Sequence, residues 1–277
     1  MTIQGLPDKG SVSGLRLQFL KCGGIGNIYR SRKDGLIYKI AKKGLSELSV
    51  KSLIREGQLA AWLGNYPGLV KVRDMKQING QVFLAMEPVP GIDLEDLQKK
   101  YTSHKIPEKL AVAIIRKTAE MLRSNLHAQM HFHGDLKPSN IMVNLVRSGK
   151  KVRIEVTLID LGSVAPFSRP TVFYTPSYAS PEQTRGEPLD QRSDILSLGV
   201  VFLKMLTGVN PFWNEDKKTA ELNIQTKAVP TELLKGLSSD SSRIVLKMLE
   251  KDPAKRYQDC GELLNDLDRL IKSYQSS

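Results

Sequence analysis

The sequence has only two cysteines, Cys22 and Cys260, at opposite ends of a 277-residue chain. Two so placed build neither a disulfide framework nor a zinc site, and both are expected to be free thiols. Long hydrophobic runs are missing too: the longest weakly polar stretch, Ile195 to Leu203, falls far short of the ~20 residues that span a bilayer. The first residues lack the basic-then-apolar pattern of a signal peptide, so no membrane span is expected and the expected location is cytoplasmic. Internal repeats and low-complexity segments are absent. With 40% hydrophobic and 25% charged residues, the composition fits a soluble globular protein of one large domain or two lobes.

What is present centres on His133 to Asn140, HGDLKPSN. Asp135, Lys137 and Asn140 could place a base, a phosphate-directed cation and a metal-binding amide in one loop. That is the chemistry of moving a phosphoryl group. Upstream, residues 15–43 alternate as strands, with a hairpin turn expected at Asp34-Gly35 and a bend at Gly23, Gly24 and Gly26. Glycines there let backbone amides approach an anion. Lys39 is the one charged position in LIYKI, where a strand residue would otherwise be apolar.

Glu47 to Leu63 has helical spacing, ended by Gly64 and Asn65, and Glu56 within it could orient the lysine. Leu69 to Met75 and Val82 to Met86, joined by a turn at Asn79-Gly80, extend the antiparallel sheet. The prolines of Glu87 to Gly91, EPVPG, cannot continue a central strand and mark a lobe boundary. Helices are expected at Leu94 to Tyr101 and Glu108 to Gln129, then a hairpin of Ile141 to Val146 and Val152 to Ile159 with RSGKK between, leading to Asp160-Leu161-Gly162. Residues 163–179 have no periodicity and should form a loop, ordered or switchable; three helices should follow, Ser193 to Thr207, Asp240 to Lys251 and Gln258 to Lys272, before a fraying KSYQSS.

In order, spacing and residue type these stretches resemble the eukaryotic-type (Hanks-type) serine/threonine protein kinases, most like the bacterial members, from about Leu15 to Ile271. The resemblance implies an α+β, bilobal fold: a small antiparallel β-sheet lobe with one helix, about residues 1–87, a hinge at 87–91, and a larger mainly helical lobe, 92–277. It implies ATP and magnesium or manganese as cofactors and a protein substrate with a Ser or Thr acceptor. Lys39 would bind the α and β phosphates with Glu56 as its ion-pair partner. Gly23, Gly24, Gly26 and Ile28 would cover the nucleotide. Met86 falls at the gatekeeper, so Glu87 and Val89 would offer backbone groups to adenine. Asn140 and Asp160 would ligate metal. Asp135 would take the substrate hydroxyl proton and Lys137 would offset charge on the transferred group. Glu182 would pair with Arg256, Asp194 would anchor the catalytic loop, and Lys137 with Thr175 matches the Ser/Thr-specific branch.

Four departures stand out. Lys21 replaces the first loop glycine, Leu161 replaces a Phe, and the hairpin at 147–151 lengthens the distance from Asn140 to Asp160. Gly134 replaces the Arg that receives an activation-loop phosphate, so activity is expected not to depend strongly on such a phosphate. A scaffold on the same fold, or a small-molecule phosphotransferase, are the competing readings. The first usually lacks one of the residues present here; LKPSN and the SPE segment favour a protein substrate over the second. Charge adds little: residues 1–91 carry 14 Lys/Arg against 6 Asp/Glu, most of the net +12. An acidic partner for that third stays open, but solvated lysines and a few phosphate-facing residues are the preferred account. Cys22, in the glycine-rich stretch, is read as an inert side chain in preference to a reactive thiol. The sequence leaves the oligomeric state open.

Overall fold

Five strands of alternating character pair in an antiparallel sheet of order β1-β2-β3-β5-β4: β1 is Leu17–Cys22, β2 Gly26–Ser31, β3 Ile37–Ala41, β4 Val72–Ile78 and β5 Gln81–Met86. The computed structural model describes residues 16–63, 66–149, 151–171 and 173–276. Asp34 accepts the Leu36 N–H at 3.0 Å and Gly35 takes φ +73°, which closes the β2–β3 turn as expected. Asn79 (φ +50°) and Gly80 (φ +77°) close β4–β5, a pair of left-handed residues that matches the twist of a tight hairpin. The first of these two strands starts at Val72, three residues later than expected.

Helix α1, Glu47–Leu63, has the expected bounds; its expected terminators Gly64 and Asn65 lie outside the described residues. It buries Leu53, Ala60 and Leu63, and lies so close to the sheet that a Cβ on Gly57 would sit 2.7 Å from Met75 Sδ and 2.9 Å from Leu84 Cδ1. These elements, through Val89, form one compact unit together with Asp160–Gly162.

The second unit runs from Pro90 to Ile159 and from Ser163 onward. Its elements are β6 (Ile92–Asp93), α2 (Leu94–Lys99), α3 (Glu108–Met121), β7 (His131–Phe132), β8 (Ile141–Ser148), β9 (Lys151–Leu158), β10 (Ala165–Pro166), α4 (Pro181–Thr184), α5 (Gln191–Thr207), α6 (Lys217–Thr226), α7 (Ser239–Met248) and α8 (Cys260–Ser276). Helix α5 is its core, with nearly every residue from Ser193 to Thr207 buried.

Two expectations are corrected, the regular helix to Gln129 and the fraying end. The helix from Glu108 does not run regularly to Gln129: α3 ends at Met121, Leu122–Leu126 form a π turn and His127–Gln129 a 3-10 turn. The expected hairpin is present as β8 and β9, paired from Ile141↔Leu158 to Ser148↔Lys151 and joined by β6 in a three-stranded sheet. Helix α6 was not expected, because its polar sequence buries only Ala220 and Ile224 and carries little periodic signal. The final segment does not fray before Ser276; the Tyr274 hydroxyl donates to Glu108 at 2.8 Å, and Lys109 Nζ lies 5.2 Å from the centre of its ring.

Candidate active site

Within the first unit, β3 carries Lys39 in the middle of the sheet, paired in register with Ile28 on one side and Leu84 on the other. Its ammonium lies 2.7 Å from Glu56 on α1 and 2.6 Å from Asp160. Burial alone would depress the lysine pKa; the Asp160 and Glu56 carboxylates overcome that and hold it above the ordinary value. Burial pushes the Glu56 carboxyl up, against the pull of the same ammonium. Asp160 differs from Glu56 in exposure, its side chain 39% accessible against 2%. The cluster is thus a fixed cation with one buried partner and one partner open to an incoming ligand.

The glycines divide in their roles. A Cβ on Gly23 would stand 2.6 Å from the Gly26 carbonyl, and one on Gly26 would stand 3.1 Å from both the Lys39 side chain and the Ile40 carbonyl, whereas Gly24 has open space around it. Gly23 and Gly26 are needed for the bend itself. Glu87 donates its N–H to the Lys71 carbonyl at 2.9 Å and its carboxylate meets Arg73, which takes that N–H out of use and leaves its carbonyl. Val89 is the last residue of this unit.

Within the second unit, Asp135, Lys137 and Asn140 come together with Thr175. Lys137 Nζ lies 2.7 Å from Asp135 Oδ2 and 2.8 Å from the Thr175 hydroxyl, and the Thr175 N–H donates to Asp135 Oδ1 at 2.8 Å. Asn140 Nδ2 donates to the Asp135 carbonyl at 2.8 Å, which fixes the amide and reserves its Oδ1 as the acceptor end.

Asp194, fully buried at the start of α5, holds the loop from beneath by accepting the N–H groups of His133 (2.8 Å) and Gly134 (3.0 Å). Burial would raise its pKa, but His127 at 3.0 Å and those backbone donors hold it below the usual carboxylate range. Gly134 has φ +77°, and a Cβ there would approach the Ser163 carbonyl to 2.9 Å, so the glycine is suited to the backbone as well as lacking a charge. Glu182 and Arg256 form a bidentate buried pair at 2.7 and 2.8 Å.

Sequence reasoning missed His127 and Gln183. Gln183 completes a capping box with Ser180 and sends its Nε2 to the Gly134 carbonyl at 2.7 Å. The S-x-x-Q spacing in SPEQ is the signal that could have found the first of these contacts.

Asn140 in the second unit and Asp160 in the first each carry oxygen donors of the hard type that suits magnesium. Among the described residues no three His, Cys, Asp or Glu side chains form a metal cage.

Each unit thus carries its own charged cluster, a lysine held between two carboxylates in the first and a loop carboxylate bridged by a second lysine in the second. Residues 18–266 match the protein kinase domain family, and the chain belongs to that family. It is 31% identical over 280 residues to a probable serine/threonine-protein kinase of Clostridium perfringens, covering 95% of this chain and 39% of that protein. It is 33% identical over 224 residues to the serine/threonine-protein kinase PknB of Mycobacterium tuberculosis, 78% of this chain and 35% of that one. The serine/threonine-protein kinase pkn3 of Myxococcus xanthus is 31% identical over 256 residues, 84% and 45% respectively. The chain therefore spans less than half the length of these relatives. Among the described residues no helix is long and apolar enough to cross a membrane.

Proposed function

We propose that the chain transfers the γ-phosphoryl group of ATP to Ser or Thr hydroxyls of protein substrates. The observation that carries this is the Lys137 bridge between Asp135 and Thr175. Asp135 has one oxygen fixed by the Thr175 N–H and the other by Lys137, so its carboxylate is oriented to accept a hydroxyl proton. Lys137 would offset charge on the transferred group. Lys39 would hold the α and β phosphates, Asn140 and Asp160 the metal, and Gly23, Gly24, Gly26 and Ile28 the roof over the nucleotide, with the Glu87 carbonyl and Val89 backbone at the adenine edge. Magnesium or manganese, when bound, would neutralise the phosphate oxygens.

The scaffold reading is disfavoured because the Lys39–Glu56 pair is formed. Asp135→Asn should lower transfer to a Ser peptide by about 10²–10⁴-fold with ATP binding retained. ATP binding without transfer by the wild-type chain would instead favour a scaffold.

The same reading includes activity without a phosphate on the segment after Gly162. No arginine precedes Asp135, and the segment has contacts of its own: β10 pairs with β7, the Ser168 N–H donates to the Leu189 carbonyl at 2.7 Å, and Ser163 Oγ donates to the Phe173 carbonyl at 2.8 Å. Changing Ser168 and Thr171 together to Ala should leave kcat within about threefold, since no phosphate-dependent ordering is lost. Near-complete loss would overturn this part.

A further inference from the structure

Helix α5 contains one charged residue in the run Ile195 to Leu206, and that residue is Lys204. A cation in so apolar a stretch costs free energy unless something compensates it. Its backbone is fixed, the carbonyl accepting from Gln98 Nε2 at 3.0 Å and from the Gly208 N–H at 2.8 Å. The side chain enters a groove of about 410 Å³ that also touches Lys137 and Thr175.

The other charged groups lining this groove are accounted for differently. Lys137 is paired with Asp135. Lys217 lies 3.8 Å from Glu221 and 5.2 Å from the centre of the Tyr174 ring. Lys204 has a neutral partner, the Tyr178 hydroxyl at 3.2 Å, and no carboxylate within ion-pair distance among the described residues. Burial lowers its pKa; Glu95 pulls the other way from farther off and Lys99 adds to the lowering. The ammonium is held at the wall of the groove by Tyr178 alone, its hydroxyl at 3.2 Å and its ring centre at 6.0 Å, with no carboxylate in direct contact among the described residues.

Taking Proposed function as correct, we infer that Lys204 reads an acidic side chain, Asp or Glu, of the peptide being phosphorylated. The Tyr178 N–H bonds to the Thr175 carbonyl at 2.9 Å while its hydroxyl reaches Lys204. One tyrosine side chain therefore separates the ammonium from the Lys137–Thr175 contact, a span of about three extended residues. Glu95, Glu215 and Lys217 also line the groove, so its charges alternate and the preference is positional: an acid is favoured at the Lys204 site. Lys204 acts as a specificity residue for a defined acceptor sequence.

The test is a scan of one Ser peptide in which Asp, Ala or Lys is placed in turn at each of the four positions on either side of the serine. The wild-type chain should show one position, two to four residues from the serine, where Asp exceeds Lys by about tenfold in kcat/KM, mostly through KM. In Lys204→Glu the order should invert at that position and nowhere else, and in Lys204→Gln it should flatten. Equal phosphorylation of all peptides by the wild-type chain overturns the inference, as does an acid preference that survives in Lys204→Glu or Lys204→Gln. If Lys204→Glu fails to fold, the wild-type scan and Lys204→Gln decide. Phosphorylation of no peptide, with ATP binding intact, overturns the kinase reading itself and the inference with it, an outcome distinct from a flat profile.

Discussion

Arg256 and Lys251 are close in sequence and both cationic, but the first is buried and the second half-buried, and their surroundings make them opposites. Every direction of the Arg256 guanidinium is used: Glu182 twice, and the carbonyls of Glu250, Arg192 and Lys251. Arg256→Met would leave Glu182 buried and uncompensated, and is expected to cost about 3–5 kcal/mol, read as a large fall in the denaturation midpoint. Lys251 Nζ is buried with no hydrogen-bond partner and lies 4.1 Å from the centre of the Phe212 ring. Burial, with repulsion from Arg256, pushes its pKa down to about 8. The ring offsets part of that cost, and partial exposure screens more. Lys251→Met should then stabilise the fold by about 1 kcal/mol, or roughly 2–4 °C in Tm.

The sign with pH follows from the same shift. Because the folded pKa is the lower one, the unfolded chain holds the extra proton between about pH 8 and the ordinary lysine value of about 10.4, and the Lys251 contribution to stability rises across that window. A thermal-melt series over that range should show the rise in the wild-type chain relative to Lys251→Met. Glu182 and Asp194 work in the same sense, in the acid range. Arg256 holds Glu182, and His127 with backbone donors holds Asp194, below the ordinary range against burial. Their contributions are present above the unfolded carboxylate values and are lost as pH falls through the folded ones.

At the scale of elements, two helix glycines test how tightly helices are seated. A Cβ at Gly57 of α1 would meet the flexible tip of Met75, whereas one at Gly199 of α5 would meet the Met248 Cβ at 2.8 Å, an atom that cannot move without its helix. Alanine gains about 1 kcal/mol of helix propensity at either site. Gly57→Ala should therefore be near neutral in a denaturant titration, and Gly199→Ala should lose about 1–3 kcal/mol by overpacking.

The π turn at Leu122–Leu126 sets the direction from which His127 meets Asp194. Deleting Ser124, which lies in that turn, would turn everything after it by about 100° and should release His127 from Asp194, lowering kcat. Little of this was legible. The catalytic loop could be read because Asp135, Lys137 and Asn140 fall within six residues of sequence, and Lys39 because charge interrupts an apolar strand. His127, Lys204 and the reach of Gln183 to Gly134 could not, since their partners are a distant carboxylate, a phenol and a backbone carbonyl that only tertiary packing brings near. Helix α6 was hidden by weak periodicity, and the break in α3 by an apolar pattern that a π turn leaves intact.

For the whole molecule, the division into units is not a division of the chain into halves. The first unit runs through Val89 but includes Asp160–Gly162, which the chain reaches only after the hairpin of β8 and β9. At about 5–20 residues per second of synthesis, the strands and α1 exist for several seconds before Asp160 is made. Over that interval Lys39 has Glu56 but not its second carboxylate. The charged cluster of the unit made first is therefore completed from a segment made within the second, and a nascent chain halted before residue 160 would carry the sheet and its lysine without one of that lysine's two acids.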